Sequence, residues 1–344
     1  MPCMEECIVI HGTDPIRQTR RFGLVLLLCA CSLLFCNSVR GQDTSIGKRV
    51  HAVRTALDDG DPAAPGMRVD SDLVLIPVTV VDHHDRLIAG LEKEHFKLLE
   101  DKAEQVITHF ALEDAPVSIG FVFDASGSMA DKMSMAREAV SRFLKMANPD
   151  DEFFLVQFND RVELLQGFTR EIEELQNRLM WIRPNGHTAL LDAIYFSIQE
   201  MKQAHKTRKA LIIVSDGGDN HSLRRFGEIK NVVREADVQI YALGIFDPPG
   251  MRSQIYEELV GPALLDEVAK QTGGRLFEIG DVRELPEVAE KVGLALRNQY
   301  VLGYVPANPK RDGKYHQVKV MLNLPKDFPK ARTSWRRGYY APVD

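Results

Sequence analysis

Residues 117–123, Val-Ser-Ile-Gly-Phe-Val-Phe, form an almost unbroken apolar run. A run of this kind suits a strand buried on both faces better than one with a wet side. From there to residue 299 two periodicities alternate. Spacing near 3.6 predicts helices over 132–147, 171–182, 188–204, 226–236, 264–272 and 285–299. In the first of these, Met133, Ala136, Val140, Phe143 and Leu144 share one face. Short apolar runs predict strands over 152–158, 162–168, 211–214, 238–246 and 275–279. Strand and helix in alternation predict an α/β domain over residues 116–299, with a doubly wound, mainly parallel sheet.

The flanks read differently. Residues 73–81 are β-branched and predict a strand, with Pro77 marking an edge or a bulge. Asp82-His83-His84-Asp85 follows as a turn, and two short strands are expected near 96–99 and 105–112. Beyond residue 300 the β pattern returns at Tyr300–Val305, His316–Leu324 and Thr333–Ala341. The segments 71–115 and 300–342 are therefore expected to form one small all-β, sandwich-like domain in two parts, with the α/β domain inserted between them. Residues 42–70 are polar, hold no apolar period and predict a linker.

Cysteine placement adds a compartment. All five cysteines lie at the N-terminal end: Cys3, Cys7, Cys29, Cys31 and Cys36. Arg17, Arg20 and Arg21 precede the apolar run Phe22–Cys36, and small residues follow, which predicts a secretory signal over 1–41 with cleavage after Gly41. The apolar run has 15 residues, short of the roughly 20 a spanning helix needs. An uncleaved membrane anchor, and a lipid anchor at Cys31, are the alternatives. The mature protein is expected to be exported, in the periplasm, the cell envelope or the medium. Removing 1–41 takes away four Lys/Arg and three Asp/Glu, which moves the net charge from −6 to −7. That balance excludes a general nucleic-acid binder, which needs a basic footprint.

In open α/β sheets, ligands bind outside the carboxyl ends of the strands. Three segments put oxygen side chains there: Asp124-Ala125-Ser126-Gly127-Ser128 after strand 117–123, Thr188 at the start of a helix, and Asp216 after strand 211–214. Taken singly, each has a plain explanation. The hydroxyls suit helix N-caps, and Asp216 before Gly217-Gly218 suits a turn. Taken together, they are a donor set for a hard cation. Mg²⁺ takes six oxygens at about 2.0–2.1 Å and keeps several as water. Hydroxyls of Ser126, Ser128 and Thr188 suit direct contact, and Asp124 and Asp216 suit contact through water. Few anions would then touch the ion, and it would stay electrophilic toward a partner's carboxylate. Glycines 127, 186, 217 and 218 are expected to let the loops approach closely.

Asp124-x-Ser126-x-Ser128 with the later Thr188 and Asp216 resembles the metal-ion-dependent adhesion site of von Willebrand factor type A domains. The segment Glu113-Asp114-Ala115-Pro116-Val117-Ser118 ahead of it resembles a bacterial exported group, termed VWFA-related in acidobacterial proteins. The resemblance implies that Asp124, Ser126, Ser128, Thr188 and Asp216 hold Mg²⁺, with Mn²⁺ as the alternative. It implies a binding and adhesion module, not an enzyme, whose partner is a protein offering an Asp or Glu carboxylate. His187 before the threonine departs from the usual Gly or Asn and bears on metal choice.

Other chemistry is weaker. Asp82-His83-His84-Asp85 has ligand types for a transition metal, but adjacent residues of a strand point to opposite faces and a solvated turn is the simpler account. A hydrolase would need a nucleophile elbow, Gly-x-Ser-x-Gly, which neither Ser126 nor Ser128 has. No phosphate-binding glycine loop follows a strand. Arg332, Arg336 and Arg337 beside Trp335, Tyr339 and Tyr340 fit a terminal strand better than a polyanion site. A structural, metal-stabilised part of an envelope complex is the alternative to adhesion, and a metal-dependent hydrolase is the third reading.

Overall fold

The computed structural model describes residues 73–246 and 256–343, apart from residues 308, 310, 326, 327 and 329. The expected signal segment and the linker lie outside the described residues. In chain order the first strands are β1 (Val74–Val81), β2 (Phe96–Glu100), β3 (Ala103–Gln105) and β4 (His109–Glu113). There follow β5 (Val117–Asp124), α1 (Met133–Lys145), β6 (Glu152–Phe158), β7 (Val162–Thr169), α2 (Ile172–Trp181), α3 (Leu190–Glu200), β8 (Arg208–Ser215), α4 (Phe226–Glu235), β9 (Gln239–Ile245), α5 (Tyr256–Gln271), β10 (Leu276–Ile279) and α6 (Leu285–Arg297). The last strands are β11 (Gln299–Tyr304), β12 (Tyr315–Leu322), β13 (Arg332–Trp335) and β14 (Gly338–Tyr340).

The central sheet has the order β10-β9-β8-β5-β6-β7. All its pairs are parallel except β6 with β7. Strand β5 is buried along its whole length, as its apolar run requires. Its alternate side chains feed two cores. Ile119, Phe121 and Phe123 meet α1, α2 and α6 on one face. Val122, with Phe154, Val156, Leu211 and Ile213 of neighbouring strands, meets α3, α4 and α5 on the other. The fold is therefore the doubly wound α/β class. Burying each large apolar side chain contributes about 1.5–3 kcal/mol relative to exposure. The order of the strands reverses beside β5, which puts the crevice at the carboxyl ends of β5 and β8.

Two four-stranded antiparallel sheets complete the structure, ordered β13-β1-β11-β4 and β14-β12-β2-β3. Their inward residues form one core that includes Ile76, Val78, Leu98, Leu302, Tyr304, Val320 and Trp335. Strands early in the sequence thus pair with late ones: β1 with β11 and β13, and β2 with β12. Pro77 sits in an inner strand. Its pairing with β11 runs through Val301, while pairing with β13 starts only at Val78, so no strand faces the proline on that side.

Three elements differ from the sequence reading. Helix α5 begins at Tyr256, eight residues ahead of the expected start, and carries Pro262 inside it. The expected strand 105–112 is two strands, β3 and β4, and 333–341 is likewise split into β13 and β14.

Gln299, fully buried at the start of β11, ties the central sheet to the antiparallel one. Its Nε2 lies within hydrogen-bond range of Thr79 Oγ1 (3.1 Å), Gln239 Oε1 (3.1 Å) and Tyr241 OH (3.3 Å). Its Oε1 accepts from the Arg208 guanidinium at 2.9 Å. Breaking one partner of a buried polar network costs about 1–3 kcal/mol. Gln299→Leu is expected to lower the unfolding free energy by that amount, seen in equilibrium urea denaturation as a lower midpoint with an unchanged slope.

Candidate metal centre

Strand β5 ends on Asp124, whose side chain is fully buried. Two donors hold it. The Ser126 N–H donates to Asp124 Oδ1 (2.9 Å), and Ser215 Oγ donates to Asp124 Oδ2 (2.5 Å). Ser126 leads into a 3₁₀ turn, Gly127–Met129, yet its side chain makes no capping bond. Instead Ser126 Oγ and Ser128 Oγ stand 3.1 Å apart. Lys132 occupies the N-cap of α1, and Ala189 that of α3. Helix capping therefore does not account for the hydroxyls of Ser126, Ser128 and Thr188, although it is the ordinary reason for such residues at these places.

Thr188 reaches the same rim through its backbone. Gly127 N–H donates to Gly186 O (3.1 Å) and Asn185 N–H to Ala125 O (2.8 Å), which binds the 185–188 loop to the loop after β5. Thr188 N–H donates to Asn220 Oδ1 (2.9 Å), while the Asn220 and His221 N–H groups donate to Thr188 O (3.0 and 3.1 Å). Thus the loop that follows β8 is bound to Thr188 in turn. Of the four glycines, two carry the geometry. Gly186 has φ +76° and its would-be Cβ lies 2.4 Å from Asp160 Oδ2; Gly217 has φ +84°. Gly218 has open space around it and needs no glycine on that account.

Asp216 lies close enough to Asp124 to repel it. Burial, and after it the Asp216 charge, push the Asp124 carboxyl up from its ordinary value to about 7, against the hydrogen bonds from Ser126 and Ser215. Asp216 in turn accepts from Lys132 Nζ at 3.2 Å, with both side chains mostly covered. Two carboxylates face one ammonium, so the rim lacks positive charge when both are ionised. The oxygen-only donor set and this shortfall both fit a hard divalent cation.

Nothing in the sequence alone singles out Ser215, Lys132 or Asn220. Ser215 sits beside Asp216 and Lys132 four residues past Ser128, so adjacency is the only signal the chain offers. At Asp82–Asp85 the turn reading holds: Asp82 Oδ1 accepts from the His84 and Arg86 N–H groups, and Arg86 Nε pairs with Asp82 Oδ2 at 2.7 Å.

A family profile described as von Willebrand factor type A domain matches residues 119–218. The chain is 27% identical over 198 residues to inter-alpha-trypsin inhibitor heavy chain 4 of Mus musculus, covering 51% of this chain and 20% of that protein. It is 27% identical over 150 residues to heavy chain H2 of the same species, covering 39% of this chain and 16% of that one. The chain therefore spans about a fifth or less of the length of these relatives. A solved von Willebrand factor type A structure from Catenulispora acidiphila is 13% identical, with TM-score 0.46 over 80% of this chain and 75% of that one.

The raised Asp124 value sets a pH dependence. Its folded value near 7 lies above the unfolded value near 4. In cation-free protein the stability linked to this group is complete below about pH 4 and is lost as pH rises through about 7. Asp124→Asn is expected to flatten that slope, and Mg²⁺ is expected to raise the melting temperature of the unsubstituted chain more at pH 8 than at pH 5. Thermal melts with EDTA and with Mg²⁺ across pH 4–8 check both.

Proposed function

The chain carries a von Willebrand factor type A domain, and we propose that it is an exported adhesion module that grips an acidic group of a partner protein through a divalent cation. Domains of this family act in protein interaction and adhesion, so binding is the activity to be explained. The residues proposed to hold the cation are Asp124, Ser126, Ser128, Thr188 and Asp216, and Mg²⁺ is the proposed ion. When bound, that ion supplies an electrophilic position open to a carboxylate oxygen.

The chain's own residues do the rest. Asp124 and Asp216 concentrate negative charge at the end of the crevice, which favours a dication. Ser126 and Ser128 present neutral oxygens side by side, so the charge of a bound cation is not cancelled by direct anionic contact. Ser215 and the Ser126 N–H fix both oxygens of Asp124 and keep that carboxylate from swinging onto the rim.

The observation that carries the reading is the buried Asp124 carboxylate beside two serine hydroxyls that no helix uses as caps. A purely structural cation is disfavoured, because backbone hydrogen bonds already join the 125–127, 185–188 and 219–221 loops. The proposed exported location rests on the Arg17–Cys36 pattern in the sequence. Among the described residues no helix is long and apolar enough to cross a membrane.

A pull-down from envelope extract in Mg²⁺, with EDTA elution, tests the proposal. A protein partner is expected to elute with EDTA, and Asp124→Ala and Ser126→Ala are expected to weaken its capture roughly tenfold or more, about 1.4 kcal/mol or above. Circular dichroism checks that both variants are folded. Capture that ignores EDTA and both substitutions would overturn the reading.

A further inference from the structure

Beside the oxygen rim lies a second cluster of a different chemical kind. Asp160 is in the turn between β6 and β7, His187 is in the loop before α3, and His221 is in the loop after β8. One ligand atom from each comes within 4.8 Å of the other two. All three residues are exposed. The rings of His187 and His221 have centroids 5.3 Å apart.

The backbone builds this convergence without help from the rings. Ala189 N–H donates to Asn159 O (2.9 Å), which ties the β6–β7 turn to the loop before α3. Asn159 Nδ2 donates to Asn185 Oδ1 (2.8 Å) across the same junction. His221 N–H donates to Thr188 O (3.1 Å), which ties in the loop after β8. His187 N–H donates to Asp160 Oδ1 (2.8 Å) and so fixes the carboxylate beside the first histidine. Gly186 completes the fit, because any side chain there would strike Asp160 Oδ2. Three separate loops are thus held so that two imidazoles and one carboxylate share one small space.

We infer that Asp160, His187 and His221 form a second metal site, for a borderline transition cation, Zn²⁺. Imidazole with carboxylate suits zinc, whereas the all-oxygen set next to it suits magnesium. Two zinc ligands at 2.0–2.1 Å in a tetrahedron stand about 3.3 Å apart. The donors must therefore close by no more than about 1.5 Å from their 4.8 Å limit, which exposed side chains reach by small rotations. Three protein ligands leave a fourth position for water or for a group of a docked partner. The inference does not depend on the proposal for the oxygen rim, since none of the three residues belongs to that set.

Isothermal titration of the full chain with Zn²⁺ in excess Mg²⁺ tests it. The sequence also holds five cysteines, all N-terminal, and thiolate is a zinc ligand, so the readout is the difference between the chain and its variants. The double variant His187→Ala/His221→Ala is expected to lose one zinc equivalent, and Asp160→Asn to bind that equivalent at least roughly tenfold more weakly. Asp124→Ala is expected to keep it. The exposed positions should leave melting temperature in EDTA unchanged, and His187→Gln/His221→Gln serves if the alanine variant does not fold. With Co²⁺ as probe, the chain is expected to show a visible ligand-field contribution, seen in the difference spectrum against the double variant. Equal zinc uptake by the chain and the double variant would overturn the inference, as would an equivalent lost in Asp124→Ala and kept in the histidine variant.

Discussion

A carboxylate buried at the end of the central strand is the constraint around which this rim is arranged. Asp124 has lost its water, and Asp216 adds a second negative charge nearby. Burying an ionised carboxylate without compensation is costly, and proteins answer with partners, with protonation or with a cation. Here the chain supplies one backbone donor, one serine hydroxyl and, on the neighbouring Asp216, one ammonium. These restrain the charge without cancelling it. A fold that selected only for stability would place an apolar side chain at such a position.

The architecture explains why the charge sits there. Strand β5 is sandwiched between β6 and β8, with three helices on each face, so its far end lies where the strand order reverses. The segment after β5, the Thr188 loop and the segment after β8 come from residues up to about ninety positions apart, and hydrogen bonds between backbone groups join them. Away from the rim, the antiparallel sheets hold the chain's early and late strands together, and Gln299 links them to the central sheet through buried polar contacts. The base of the central sheet is thereby fixed, while at the rim Ser128 is exposed and Asp216 partly so.

Much of the fold was legible because its periodicities are clean. The wholly apolar β5 and the one-sided α1 could be read directly, and so could the change back to β pattern after residue 300. The misreadings have local causes. Helix α5 begins early because tertiary packing overrides the helix-breaking look of Gly261-Pro262: a side chain at 261 would meet the backbone of Gly217 at 2.1 Å, so glycine is there for close approach. The break between β13 and β14 falls at Arg336-Arg337, where Arg337 N–H turns to bond Gln271 O and Arg337 O accepts from Val318 N–H. Pro77 is tolerated in an inner strand because the neighbouring strand begins one residue later. At the rim, the residue types were legible and their companions were not. Ser215 holding Asp124, Asn220 holding Thr188 and Asp160 beside His187 are pairs separated by about 30 to 90 residues. One sequence carries no signal for such pairing.

Anomalous scattering from a crystal of the protein soaked in Mn²⁺ would locate the cation. A peak in coordination contact with Ser126 Oγ and Ser128 Oγ is expected, with Thr188 bordering it and Asp124 behind. A peak placed away from these side chains, or no peak at the end of β5 under saturating Mn²⁺, would contradict it.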